Sequence, residues 1–100
     1  MADDCPPDSW HLEARLMGLV QRVGFRWYVY ELASVGNISG HVRNLPDGSL
    51  EIAATGSRAT LESLLEKSRE GPPSARVDHV EVTWSHLNEP PAATRFEMRT

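Results

Sequence analysis

Ile38-Ser39-Gly40-His41-Val42-Arg43-Asn44-Leu45-Pro46-Asp47-Gly48-Ser49-Leu50-Glu51-Ile52-Ala53-Ala54 is the stretch whose reading decides the fold. Ile38, Val42 and Asn44 share one parity and Ser39, His41 and Arg43 the other, the period of a half-buried strand. Leu45-Pro46-Asp47-Gly48 is a turn, because proline presets φ and glycine accepts positive φ. Leu50, Ile52 and Ala54 alternate again, so the stretch is a hairpin with one apolar face. On its N-terminal side, Phe25, Val29, Leu32 and Ala33 fall at i, i+4, i+7 and i+8, the stripe of an amphipathic helix. Gly36-Asn37 supplies residue types that close such a helix. On its C-terminal side, Ser57 is placed to cap a second helix with the stripe Leu61, Leu64, Leu65 and Ser68, stopped by Gly71-Pro72-Pro73.

Working outward, Leu12, Ala14 and Leu16 alternate with Glu13, Arg15 and Met17 as a first strand ending at Gly18, followed by a loop to Gly24. Val80, Val82 and Trp84 mark a fourth strand. Beyond Pro90-Pro91 a short last strand is expected to turn Phe96 and Met98 inward. The order is βαββαβ with a fifth strand possible. One apolar face per strand and one stripe per helix are most economically buried as an α+β, ferredoxin-like α/β sandwich. Its antiparallel sheet of four to five strands carries both helices on one face. Residues 1–9, with three Asp and Pro6-Pro7, read as a flexible tail, and residues 10–100 as the domain.

The chain has 100 residues, room for one core and not two. Ten Lys and Arg against 14 Asp and Glu give a net charge of −4, the wrong sign for a general binder of nucleic acid or anionic membrane. No apolar run approaches the ~20 residues that span a bilayer. The acidic N-terminus precedes no apolar stretch, so a cytoplasmic setting is expected. Cys5 alone makes neither an internal disulfide nor a cysteine zinc site. His11, His41, His79 and His86 show no ligand spacing, so neither metal nor cofactor is expected. Within this acidic chain, Arg15, Arg22 and Arg26 fall in a window, Arg15 to Tyr30, that holds no carboxylate. Scattered solvated charge is the plainer reading of that window from charge alone.

Gly18-Leu19-Val20-Gln21-Arg22-Val23-Gly24-Phe25-Arg26 joins the first strand to the first helix. Such a junction offers free backbone N–H groups and the positive end of a helix dipole, which favour an anion. Arg26, in the first helical turn, is able to grip two phosphate oxygens. The competing reading gives Gly18 and Gly24 a tight turn only and sends Arg26 into solvent. There is no Gly-Lys-Ser/Thr ending, so this is not a nucleotide loop of the Walker type. Asn44 shares the inward parity of Val42, so its amide has either a hydrogen-bond partner or a cavity; the rival reading is ordinary turn chemistry ahead of Pro46.

The loop resembles the acylphosphatase signature G-x-V-Q-G-V-x-F/Y-R. Gly40-His41-Val42-Arg43-Asn44-Leu45-Pro46-Asp47-Gly48 resembles that family's second signature, G-x-V-x-N-x-x-D-G. Gly71-Pro72, Ala75, Val77 and Val80 also fit, so the resemblance covers about Leu12 to Met98. It implies a metal-free hydrolase that converts an acyl phosphate, a carboxylic–phosphoric mixed anhydride, and water into carboxylate and inorganic phosphate. By that resemblance Arg26 binds the phosphoryl group, loop amides over Gln21, Arg22, Val23, Gly24 and Phe25 assist it, and Asn44 holds the attacking water. A monomer inhibited by its product phosphate is expected.

The pattern departs at Arg22, where the family has glycine. If that position needs positive φ, a side chain costs about 1–2 kcal/mol there. Leu19 stands where a basic residue is common, and His41 replaces an aromatic. A repaired, a slower or a dead site are open outcomes of the Arg22 exchange, and a noncatalytic anion-binding module on the same fold is the alternative function. An RNA-binding domain is disfavoured by the acidic charge and the lack of an aromatic strand for base stacking.

Overall fold

The computed structural model describes residues 9–87 and 95–99. Its elements, in chain order, are β1 (Ser9–Leu19), α1 (Phe25–Val35), β2 (Ser39–Asn44), β3 (Leu50–Ser57), α2 (Arg58–Glu70), β4 (Arg76–Leu87) and β5 (Phe96–Arg99). The inward-parity residues of the strands meet the two helical stripes in one core. Leu12, Leu16, Val42, Leu50 and Ala54 are fully buried there, with Val29, Ala33 and Leu61 from the helices. Burying such side chains is worth about 1.5–3 kcal/mol each for the larger ones, which is why the period-2 and period-3.6 patterns dictate which face turns inward. Ser57 caps α2 by accepting from the Thr60 amide, and Gly71 ends it by donating its N–H to the Lys67 carbonyl.

The sheet order is β4-β1-β3-β2-β5. β1 pairs antiparallel with β3, from Ser9 opposite Ser57 to Leu16 opposite Leu50, and antiparallel with β4. β2 pairs antiparallel with β3 in the expected hairpin register, Val42 opposite Ile52. The expectation of an all-antiparallel sheet is corrected at the edge: β5 lies parallel to β2, Val42 opposite Met98. β4 and β5 sit on opposite edges of the sheet. A four-residue strand carries no sequence signal for direction, so the parallel pairing could not be read from the chain.

Two smaller expectations also change. Ser9, placed in the tail, is the first residue of β1, and β1 runs one residue beyond Gly18 to Leu19. The remainder of the tail, including Cys5, and the Pro90-Pro91 loop lie outside the described residues. Phe96 is inward, but Met98 is 43% exposed. β5 is an edge strand packed beside α1, and only its first residue is buried.

The β1–β4 register shifts between Met17 and Gly18, a bulge at the point where β1 turns toward α1. Gly18 has φ 130°, and a Cβ there would run into the Arg76 carbonyl oxygen and the Asp78 backbone. Only glycine allows the two strands this approach. No described helix is long and apolar enough to cross a membrane.

Candidate functional site

The loop between β1 and α1 is built on backbone conformations that orient its amides. Val20 is buried and anchors the loop's start. Arg22 has φ 65° and Gly24 φ 78°, so left-handed residues alternate through the loop. Successive amides in such alternation converge on one concavity, the arrangement that cradles anions. Gly24 is also the N-cap of α1 and supplies no side-chain cap, and the first turn of α1 contains no acidic residue. The first-turn N–H groups, which have no intrahelical partner, are thereby left for a ligand, with the positive end of the helix dipole behind them.

Arg22 therefore adopts the conformation for which the signature has glycine. Gly24 does not relieve it, since both positions are left-handed in the same loop. The strain of about 1–2 kcal/mol stays on Arg22.

The side chain of Gln21 serves the loop's own structure. Its side-chain amide donates to the carbonyl of Leu45 (2.8 Å) and to that of Ser49 (2.9 Å), tying the loop to the β2–β3 turn. That turn is itself closed by Leu45 N–H to Ser49 O and Gly48 N–H to Leu45 O, and Asp47 accepts from both the amide and the hydroxyl of Ser49. The Ser49 bonds, with a smaller contribution from the Arg15 charge, hold the Asp47 carboxyl below the usual carboxylate range. The turn and the loop are one braced unit, and Asn44 is the last residue of β2 before it.

Arg22, Gly24, Phe25, Arg26 and Asn44 line a single hollow of about 250 Å³, together with Val20, Trp27 and Met98. Gln21 and Val23 are not among its walls: the Gln21 side chain is spent on the β2–β3 turn, and Val23 packs on the core. The ionisable side chains lining the hollow are two guanidiniums, with no carboxylate or imidazole between them. Arg26 is held by a hydrogen bond from Nη1 to the Arg99 carbonyl, 2.7 Å, so β5 fixes the guanidinium that α1 presents. A guanidinium has five N–H donors, and this bond uses one. Asn44 Oδ1 is buried and has no hydrogen-bond partner. A buried amide oxygen left unpaired costs about 1–3 kcal/mol, which a ligand donating into the hollow would recover. Two cations and an orphaned acceptor thus line one hollow at the uncapped start of α1, donors and an acceptor side by side. No group of three or more His, Cys, Asp or Glu that could hold a metal occurs among the described residues.

Three features had no signal in the linear chain. The brace from Gln21 spans 24 and 28 residues, the Arg26–Arg99 bond spans 73, and Met98 reaches the hollow only because β5 lies beside β2. The parity of Asn44, by contrast, correctly foretells its inward side.

The family model described as acylphosphatase matches residues 12–98. A protein named acylphosphatase from Salinibacter ruber is 46% identical over 86 residues, covering 86% of this chain and 85% of that one. One of the same name from Photobacterium profundum is 39% identical over 80 residues, covering 77% of this chain and 89% of its own length. The crystal structure of acylphosphatase from Bacillus subtilis superposes with a TM-score of 0.84 at 32% identity, covering 91% of this chain and 99% of that one.

Proposed function

This chain belongs to the acylphosphatase family and hydrolyses acyl phosphates, and on that premise we propose that the hollow between the β1–α1 loop and the end of β2 is where the reaction takes place. The observation that carries this reading is the orphaned Asn44 Oδ1, buried in the same hollow as Arg26.

The phosphoryl group sits in the loop, its oxygens receiving N–H groups from the backbone between Arg22 and Phe25 and from the free donors of Arg26. Asn44 Oδ1 accepts a hydrogen from a water molecule and turns the water's lone pair toward phosphorus. Water attacks, the new P–O bond forms as the bond to the acyl oxygen breaks, and the electron pair leaves on the carboxylate. The transition state spreads charge over the equatorial oxygens, so positioning and electrostatic stabilisation supply most of the rate. No side chain lining the hollow is a base at neutral pH. The water's proton therefore passes to the phosphate being formed, which is more basic than the departing carboxylate. An already activated anhydride needs no stronger catalyst, and neither a covalent intermediate nor a metal enters the scheme.

The left-handed φ of Arg22 supports a working cradle over a noncatalytic module, because the amides keep the path that glycine would give them. The hollow is built from one chain's loop, helix and strands, which fits action as a monomer. A charged substrate that does not cross a bilayer fits a cytoplasmic setting. Product phosphate is a competitive inhibitor in this scheme because it occupies the same cradle.

Hydrolysis of benzoyl phosphate by the wild type, Arg26→Ala and Asn44→Ala is the test. Each substitution lowers kcat by at least ~100-fold, the scale of one preorganised contact. Asn44→Ala melts no lower than wild type, because the Oδ1 it removes has no partner to lose. An Asn44→Ala enzyme of normal kcat would refute the assignment.

A further inference from the structure

A second recess adjoins the hollow and shares two of its walls. Trp27 and Met98 line the hollow, and they also line a more open recess of about 520 Å³ that runs over Tyr30 and Phe96 to a rim of Arg95 and Glu97. Both shared residues present apolar surface to solvent: Trp27 is 54% and Met98 43% exposed. Single exposed apolar residues on a surface need no explanation, but here two of them form the only large apolar surface common to both spaces.

The shelf is also held in place. Trp27 and Tyr30 lie one turn apart on α1, with rings stacked at 5.6 Å between centroids and 23° between planes. Tyr30 in turn rests against Phe96 of β5, centroids 6.5 Å apart. One face of the Trp27 ring is thus backed by Tyr30, and both rings line the recess. At the rim Arg95 and Glu97 approach to 3.9 Å, so their charges offset and the rim selects for neither sign.

We infer that this shelf receives the acyl group, so the chain favours acyl phosphates whose acyl part is aromatic or an extended apolar chain. The inference rests on the phosphoryl group occupying the Arg26–Asn44 hollow. From there the acyl oxygen must leave past the hollow's walls. The polar walls, Arg22, Arg26 and Asn44, are engaged with phosphate and water; Trp27 and Met98 are the exposed apolar surface that continues outward. An acetyl group is too short to cover the indole, whereas a benzoyl ring reaches it and stacks. Trp27 and Met98 are on this reading specificity-determining residues.

The experiment compares kcat/KM for benzoyl phosphate and acetyl phosphate in the wild type, Trp27→Ala, Trp27→Phe and Met98→Ala, with inhibition by inorganic phosphate measured alongside. Trp27→Ala lowers kcat/KM for benzoyl phosphate about tenfold, through KM, the scale of one stacked ring contact. For acetyl phosphate the fall is about twofold, and the inhibition constant of phosphate moves less than that. Met98→Ala acts in the same direction by about threefold, and Trp27→Phe restores most of the benzoyl preference. Equal losses on both substrates, or no loss on either, would overturn the inference while the wild-type hydrolysis stands. A wild type that hydrolyses neither substrate overturns the proposed site and the shelf with it, and is told apart because no substitution is involved.

Discussion

Arg22→Gly is the substitution that most directly separates backbone from side chain at the cradle. Arg22 has φ 65°, a conformation that costs an L-residue with a side chain about 1–2 kcal/mol. Glycine removes that strain but gives the unfolded chain more freedom, an opposing effect of about 0.4–1 kcal/mol. The difference favours the variant by about 1 kcal/mol. In a domain of this size that raises Tm by roughly 4–8 °C. Activity responds to other features. The amides already follow the left-handed path, so kcat stays within about threefold of wild type. The lost guanidinium is exposed at the edge of the hollow and weakens phosphate inhibition by no more than about fivefold, the scale of a surface ionic contact. Thermal denaturation and benzoyl phosphate hydrolysis on the same preparations measure both quantities. Arg22→Ala is the control: it removes the charge, keeps the strain, and leaves Tm close to wild type. A lower Tm for Arg22→Gly would show that the side chain, not the turn, maintains the loop. A kcat rise above about tenfold would show that Arg22 displaces the amides, refuting the claim that the path is preserved.

Removing the brace has a different signature: Gln21→Ala loses two bonds to carbonyls that each keep another partner, which costs about 1–2 kcal/mol in a denaturant titration. The same variant lowers kcat about tenfold, because the loop and Asn44 are no longer registered to one another; an unchanged kcat would separate the brace from the site. Acid stability follows from two carboxylates. Partial burial pushes the Glu51 carboxyl up, but hydrogen bonds from Arg43 and His41 outweigh it and hold it below its ordinary value of 4.5, and Asp47 lies below 3.8 for the reasons given above. Groups whose folded pKa is depressed contribute stability above the ordinary value and lose it as pH falls through the folded one. Denaturant midpoints therefore fall as pH drops below about 4.5, and Glu51→Gln and Asp47→Asn each start lower at pH 7 and fall less steeply in acid. Parallel curves for wild type and variants would contradict this.

Much of the molecule was legible in the order of its residues because burial is periodic. The hairpin from Ile38 to Ala54, the stripes of α1 and α2 and the cap at Ser57 each express a local rule, and each forms as that rule requires. Asn44 was legible for the same reason: a polar residue on the inward parity of a strand must meet a partner or a cavity, and it meets a cavity. The loop amides were legible because a strand running into a helix leaves N–H groups free. Arg22 was readable only as a conflict, between a side chain and a conformation that disfavours one.

Residue order alone was thus enough for the elements and the face each buries, and it singled out Arg26 and Asn44 as candidates to meet an anion. The folded arrangement alone sets β5 parallel beside β2, brings the Arg99 carbonyl to Arg26, and lets Gln21 clamp the loop to the turn. It also decided that Met98 faces outward beside Trp27 rather than into the core. The reason is physical: periodicity and capping are energies between neighbours along the chain, whereas these contacts join residues 24 to 73 positions apart, and exist only once the whole sheet has chosen its order.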